Sequence, residues 1–402
     1  MASQTNVLAP PSPPGLLDWM RRNLFSNWFS SILTIVSLTI IYFSLVQAGT
    51  WILVTADWRP VKEYPLLYLV GQYPRDQLWR TGLSLWLFTL LIGMSWGVWE
   101  KFVKAFAIFL GILLAVLALF PLASETLTTE VRLAVLANPL LIYLGYMLVR
   151  KTRIRGQHVA LLWMIVSALV VLVILPGFTG NDVLPRVETT VWGGMIVTLI
   201  LAAGGIVLSF PIGILLALGR RSDLPVVKVV SILFIETIRG VPLITILFMF
   251  SIILALFLPV ESRIDRLLRA LMAMTVFSAA YMAENVRGGL QAVPSGQIEA
   301  ARSLGLTNFQ VTALIVLPQA LRAVIPSIVG QFISLFKDTT LVVIVGINDL
   351  LGIGKSILSI DPEFVRLQGE VYVFIAAVFW VFSYFMSYAS QQIEKALGVG
   401  ER

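Results

Sequence analysis

Apolar runs dominate the chain. They recur near residues 28–46, 80–98, 102–122, 133–149 and 158–176, and again near 191–218, 226–259, 266–287, 320–346 and 371–391. Each reaches about the 20 residues an α-helix needs to cross hydrocarbon. The run at 226–259 is too long for one straight crossing; Gly240 and Pro242 divide it into a tilted or interfacial part and a spanning part. The pattern predicts an all-α polytopic membrane protein with about ten transmembrane helices, five within 25–178 and five within 186–402. Residues 1–24, with Pro10, Pro11, Pro13 and Pro14, read as a disordered Pro-rich tail. Arg21 and Arg22 precede the first run, which is long and lacks an A-x-A cleavage site, so it reads as an uncleaved anchor.

Composition agrees with this. Of the 402 residues 58% are hydrophobic and 13% charged, where a soluble domain carries about a quarter charged. There is no cysteine and one histidine, His158, which excludes disulfides, thiolate metal sites and histidine metal clusters. The formal charge of +7 sits in short loops and not on a nucleic-acid-binding surface. Its distribution is a topology signal. Arg150, Lys151, Arg153 and Arg155 share one loop without an acid, and Arg220, Arg221 and Lys228 face Asp223 alone. Glu125, Glu130, Asp182, Glu188, Asp349, Asp361 and Glu363 fall in the alternate loops. The positive-inside rule therefore predicts cytoplasmic N- and C-termini and a cytoplasmic loop at 288–319. Trp51, Trp58, Trp79, Trp96 and Trp99 lie near span ends, as interfacial anchors do.

Within that loop, residues 294–318 carry helix punctuation. A first short helix is expected from about Gly296 to Leu304, with Ser295 as N-cap behind Pro294. Gly305 supplies the left-handed residue that ends it. Thr307 and Gln310 have capping-box spacing, so a second helix starts there and stops before Pro318. The result is a compact knob at the membrane surface.

Six further charges fall in or beside spans. Lys337 and Asp338 lie roughly 25 Å along the helix that begins near Ala320. A charge at such depth costs on the order of 2.5–3.5 kcal/mol, so both should face the bundle interior or a wet cavity. Neighbours in sequence point about 100° apart and do not pair with each other. Each needs another partner: a second helix, another subunit, or a zwitterionic solute whose carboxylate suits Lys337 and ammonium Asp338. Glu236 with Arg239, and Glu284 with Arg287, are spaced i,i+3 and read as structural or gating ion pairs. No catalytic or metal-ligating constellation emerges. Gly352-Ile353-Gly354-Lys355-Ser356 ends like a phosphate loop, but Asp349 stands where the pattern needs glycine.

The knob carries a resemblance. Glu299-Ala300-Ala301, Gly305, and Ile315-Val316-Leu317-Pro318 resemble the EAA loop of the membrane subunits of ABC importers. Glu236-Thr237-Ile238-Arg239-Gly240-Val241-Pro242-Leu243, Ala280 to Gly289, Pro318-Gln319-Ala320, Pro326, and Lys337-Asp338-Thr339-Thr340-Leu341 extend it over about 190–395. They resemble the polar amino-acid branch: histidine, glutamate, glutamine, arginine and opine importers. The N-terminal half is similar to that of the enlarged permeases in general L-amino-acid importers, on Tyr73-Pro74-Arg75-Asp76-Gln77-Leu78-Trp79-Arg80.

This resemblance implies a type I permease core in 186–402, with a coupling loop at 294–318 and a five-helix extension at 25–178. It implies a multi-pass bacterial inner-membrane subunit that moves L-amino acids inward. Glu299, Ala300, Ala301, Gly305, Leu317 and Pro318 would engage the ATPase, and Lys337, Asp338, Thr339 and Thr340 would line the substrate pathway. The implied partners are a second, different permease subunit, two ATPase subunits that bind ATP and Mg, and an extracytoplasmic amino-acid-binding protein. This chain itself would hold no cofactor. Ten spans with buried charges also fit an ion-gradient-driven secondary amino-acid transporter. An intramembrane enzyme fits less well, for want of a nucleophile, metal site or acid pair.

Overall fold

A computed structural model describes residues 15–119, 128–152, 154–257, 259 and 264–398. The chain divides into two compact units, one ending at Asp57 and the other beginning at Trp58. In the first, the tail departs from expectation: α1, Leu16–Asn23, is helical, while residues 1–14 lie outside the described residues. No proline follows Pro14 here, and Asp18 in the first turn with Arg21 and Arg22 in the last complements the helix dipole. The anchor is α2, Trp28–Thr50, extended by a wider-turned helix at Trp51–Thr55. The Asn27 side chain caps α2 by accepting from the Ser30 amide at 2.8 Å.

In the second unit, two one-turn helices, α3 (Arg59–Glu63) and α4 (Pro65–Val70), lead into α5 (Leu78–Val98), α6 (Glu100–Leu119), α7 (Thr129–Thr152) and α8 (Gly156–Leu169). A wider-turned segment, Val170–Ile174, completes α8. Helices α5 and α7 touch through backbone: a Cβ on Gly93 would lie 2.0 Å from the Ile142 carbonyl oxygen, and one on Gly145 would lie 2.3 Å from that of Leu90. Pro139 inside α7 leaves the Val135 carbonyl without its helical donor, and Asn138 Nδ2 donates to it at 2.8 Å. Thr89 donates to the Asn138 side-chain oxygen at 2.9 Å, so this polar pair is satisfied within an apolar bundle.

The remaining helices are α9 (Gly194–Arg220), α10 (Pro225–Arg239), α11 (Leu243–Phe248), α12 (Leu254–Phe257) and α13 (Arg266–Ala292). They are followed by α14 (Ser295–Ser303), α15 (Asn308–Gln310), α16 (Leu317–Asp338), α17 (Leu350–Leu358) and α18 (Gln368–Leu397). The run at 226–259 breaks where Gly240 and Pro242 stand, with a bend of 106° between its halves. At the centre lies α13, whose apolar stretch is 56% buried against at most 33% for any other span. It runs antiparallel to α16. A Cβ on Gly289 would meet the Ala320 carbonyl at 2.4 Å, and Met274 and Leu335 meet at Gly205. Both contacts keep one register along the whole helix pair.

Each of the ten expected apolar runs is helical among the described residues. Among the described residues eight helices are long and apolar enough to cross a membrane; the bent pair and the shorter helix at Val103–Leu119 account for the rest. Loops at alternate span ends meet one another. Tyr73 donates to the Leu175 carbonyl at 2.7 Å, Arg80 Nη2 to that of Pro185 at 2.9 Å, and the Gly194 amide to that of Asn348 at 2.9 Å. Arg59 pairs with Glu363 at 3.2 Å. From the other set, Glu100 pairs with Arg150 at 2.9 Å, and Arg221 Nη1 donates to the Leu290 carbonyl at 3.0 Å.

Candidate functional site

The knob is built by its own punctuation. Helix α14 begins one residue earlier than expected, with Pro294 at the N-cap position, so Ser295 is the first helical residue and makes no side-chain cap. Gly305 has φ +79°. The Leu306 amide reaches the Ala301 carbonyl at 3.3 Å and the Gly305 amide that of Arg302 at 2.9 Å, the paired bonds of a glycine-terminated helix end. Thr307 and Gln310 form the reciprocal capping box. One expectation fails: the second arm does not stop before Pro318. It widens at Val311–Val316 and runs on into α16, with Pro318 in that helix's first turn. The wider turn accommodates the proline ring, and a first-turn proline forfeits no needed N–H.

Burial sorts the knob's residues. Ala301, Val311, Val316 and Ala320 are buried in one cluster with Leu290, Ala217 and Ile235. Glu299, Ala300, Gly305 and Pro318 are exposed, and Leu317 is half-buried. Two large apolar side chains, Leu304 and Phe309, are 82% and 80% exposed at the tip. Both are more costly in water than any neighbour there, and they mark a contact surface.

Beside the knob lies an ion cluster tighter than i,i+3 spacing suggests. Glu284 on α13 takes Arg287 on the same helix (2.8 Å), Arg220 at the end of α9 (2.9 Å) and Arg239 at the end of α10 (3.7 Å). The Glu236–Arg239 pair is corrected: Glu236 bonds Arg220 at 2.7 Å, and Arg239 turns toward Glu284 and over the Tyr281 ring. Three helix ends are thus tied to one carboxylate. Arg220 was legible only as part of Gly219-Arg220-Arg221; its partner is 64 residues away.

The other expected residues are on α16. Lys337 is exposed and Asp338 half-buried, and neither has an ion-pair partner among the described residues. Thr339 is wholly buried, its hydroxyl donating to the Phe336 carbonyl at 2.7 Å, so it stands off the exposed surface. Thr340 is half-buried and donates to the Lys337 carbonyl. Lys337 ends a stripe of exposed positions: Gln319, Arg322, Pro326, Ser327, Gly330 and Ser334. Their three- and four-residue spacing puts them on one helix face. A face of small and polar residues along a membrane span suits water or another protein, not lipid. That spacing was present in the sequence, masked by the apolar residues between.

Asp349 caps α17 by accepting from the Gly352 amide at 2.9 Å. It is wholly buried, its second oxygen has no partner among the described residues, and burial pushes its carboxyl up to about 6. The phosphate-loop-like residues 352–356 are helical, within α17.

Residues 209–399 match the family described as the inner membrane component of binding-protein-dependent transport systems. The chain is 36% identical over 411 residues to the inner membrane amino-acid ABC transporter permease protein YhdY of Escherichia coli (strain K12), covering 97% of each. It is 34% identical to the glutamate/glutamine/aspartate/asparagine transport system permease protein BztC of Rhodobacter capsulatus, over 98% of this chain and 97% of that one. A crystal structure of an amino acid ABC transporter with histidines shares 32% identity, with a TM-score of 0.46, over 50% of this chain and 92% of its own.

Proposed function

The chain belongs to the family of inner-membrane permease components of binding-protein-dependent amino-acid ABC transporters, and on that premise we propose that its knob is the joint through which separate ATPase subunits drive it. The observation that carries this reading is a rigid, capped knob with two bare apolar side chains at its tip, continuous with the span that bears the polar stripe. ATP and Mg are held by the ATPases. The cargo is an L-amino acid, delivered by an extracytoplasmic binding protein, and the α16 stripe faces a pathway completed by a second permease subunit. The knob and both termini are cytoplasmic. Lys337 and Asp338 meet the cargo's carboxylate and ammonium, or groups of the second permease.

The mechanics follow from connectivity. Helix α14 begins three residues after α13 ends, and the second arm has no flexible link to α16. The Glu284 cluster joins α13 to the ends of α9 and α10. When the ATPases close, a displaced knob therefore moves these four helices as one body, and the stripe changes the side to which it opens. The ion-gradient alternative lacks support from the family match, and would be revived only by uptake that survives loss of the ATPase.

Because the chain has no cysteine, Phe309→Cys introduces a single thiol at the tip. We expect it to crosslink to the ATPase subunit. Gly305→Val is the functional test. A Cβ there meets nothing within 4 Å, so the effect is pure backbone strain at positive φ, about 1–3 kcal/mol. Uptake should fall more than about tenfold while the complex still assembles, and Gly305→Asn, which tolerates that φ, should retain much of it. Normal uptake by the valine variant, or no crosslink at 309, would sink the proposal.

A further inference from the structure

The N-terminal extension carries a feature that neither the knob nor the stripe uses. A groove of about 280 Å³ runs between α5, α6 and α7, lined among others by Trp96, Ala107, Gly111, Ala115, Pro139 and Ile142. Ala107, Gly111 and Ala115 are spaced four apart, which leaves one face of α6 without long side chains over about 12 Å. The lining is apolar apart from the polar tips of Trp96 and Tyr143. The Trp96 indole N–H is buried and finds no acceptor among the described residues, although its ring packs on Tyr146 at 4.5 Å.

The end of the groove toward the Glu100–Arg150 pair is cationic. Lys104 is exposed, four residues before Ile108 and seven before Gly111, hence on the groove's face of α6. Glu100 is engaged by Arg150 at 2.9 Å, and Arg150 also lies over the Tyr146 ring. Among the described residues neither Lys104 nor Lys151 has a carboxylate within 4 Å. An apolar slot with surplus positive charge at one end matches one chemistry: a single acyl chain attached to an anionic headgroup.

We propose that this groove is a binding site for an anionic phospholipid, with one tail along Gly111 and the phosphate region at Lys104. In a bilayer a tail gains little by leaving other tails, so the groove supplies shape and the cation supplies selection. A lysine at the surface favours an anionic lipid by about fivefold. The bound tail would brace α6, which packs through Phe106 and Phe109 on Phe382 and Phe385 of the last core helix.

The test uses the full chain in its complex, reconstituted into nanodiscs of equal phosphatidylglycerol and phosphatidylcholine with matched tails. The complex is then taken into detergent, and retained lipids are counted by mass spectrometry. Wild type should retain phosphatidylglycerol preferentially. Lys104→Gln should lower that preference about fivefold, and the control Lys228→Gln should not. Gly111→Leu fills the groove and should remove the retained lipid. A Cβ at Gly111 makes only ordinary contacts of 3.7 and 3.9 Å, so that variant has room to fold; if it does not, Lys104→Gln decides. Equal retention of the two lipids by wild type, or unchanged preference in Lys104→Gln, would overturn the site.

Discussion

Helices α8 and α16 present exposed faces of the same geometry and opposite chemistry. On α8 and its extension, beyond Gln157 and His158 in the first turn, the exposed positions are Ala160, Leu161, Met164, Ile165, Ala168, Leu169 and Leu172. On α16 they are Gln319, Arg322, Pro326, Ser327, Gly330, Ser334 and Lys337 among others. Both sets recur every three or four residues, so helical periodicity alone does not separate them. The first is what hydrocarbon accepts without cost, and the second is what it rejects by several kcal/mol for each charge. Solvent exposure in a membrane protein therefore means two different things. An exposed apolar face is finished, whereas an exposed polar face awaits water, cargo or a partner.

The sharpest way to break this comparison is to put the same charge on each face. Ile165→Lys lies mid-span on α8 and should cost about 3 kcal/mol of insertion free energy, with a steep loss of membrane-integrated protein by quantitative immunoblot. Ser327→Lys, mid-span on the stripe, should leave that amount within about twofold, because its ammonium stays wet. Equal losses would mean that both faces meet lipid.

A smaller effect tests how the stripe is held outward. Gly288 and Gly289 are adjacent, but a Cβ meets nothing at the first and a backbone carbonyl at 2.4 Å at the second. Gly289→Ala should lower stability in detergent by about 2 kcal/mol through overpacking between α13 and α16. Gly288→Ala should leave the melting temperature unchanged. If the two behave alike, the register of that helix pair is wrong.

The smallest concerns Asp349, the cap of α17. Its carboxyl is raised from 3.8 to about 6 by burial, so the folded state holds the proton more tightly than the unfolded one. The contribution of this one carboxyl is fully present below about pH 4 and is lost as pH rises through about 6. Asp349→Asn keeps the capping oxygen without the charge. It should gain about 1 kcal/mol at pH 8 and nothing near pH 4. A gain independent of pH would point to altered capping and not to the buried charge.

Much of the molecule was legible in the sequence because its signals are local. Apolar runs of about 20 residues mark helices since lipid leaves the backbone no other partner. Gly305 and the Thr307–Gln310 box act within one turn, and both appear as read. The errors had the same origin. Pro318 was read as a stop because local rules do not anticipate the wider turn at Val311–Val316. Glu236 was paired with Arg239 because the i,i+3 rule cannot see Arg220 arriving from another helix.

By itself, then, the sequence determined which segments enter the membrane, where the chain turns, and that a capped knob separates two spans. Each depends on residues a few positions apart. Only the tertiary structure decided which face of α16 is left bare, which carboxylate ties three helix ends, and that a cationic-ended slot lies along α6. Those are properties of surfaces assembled from residues tens of positions apart, and close packing of neighbouring helices selects them.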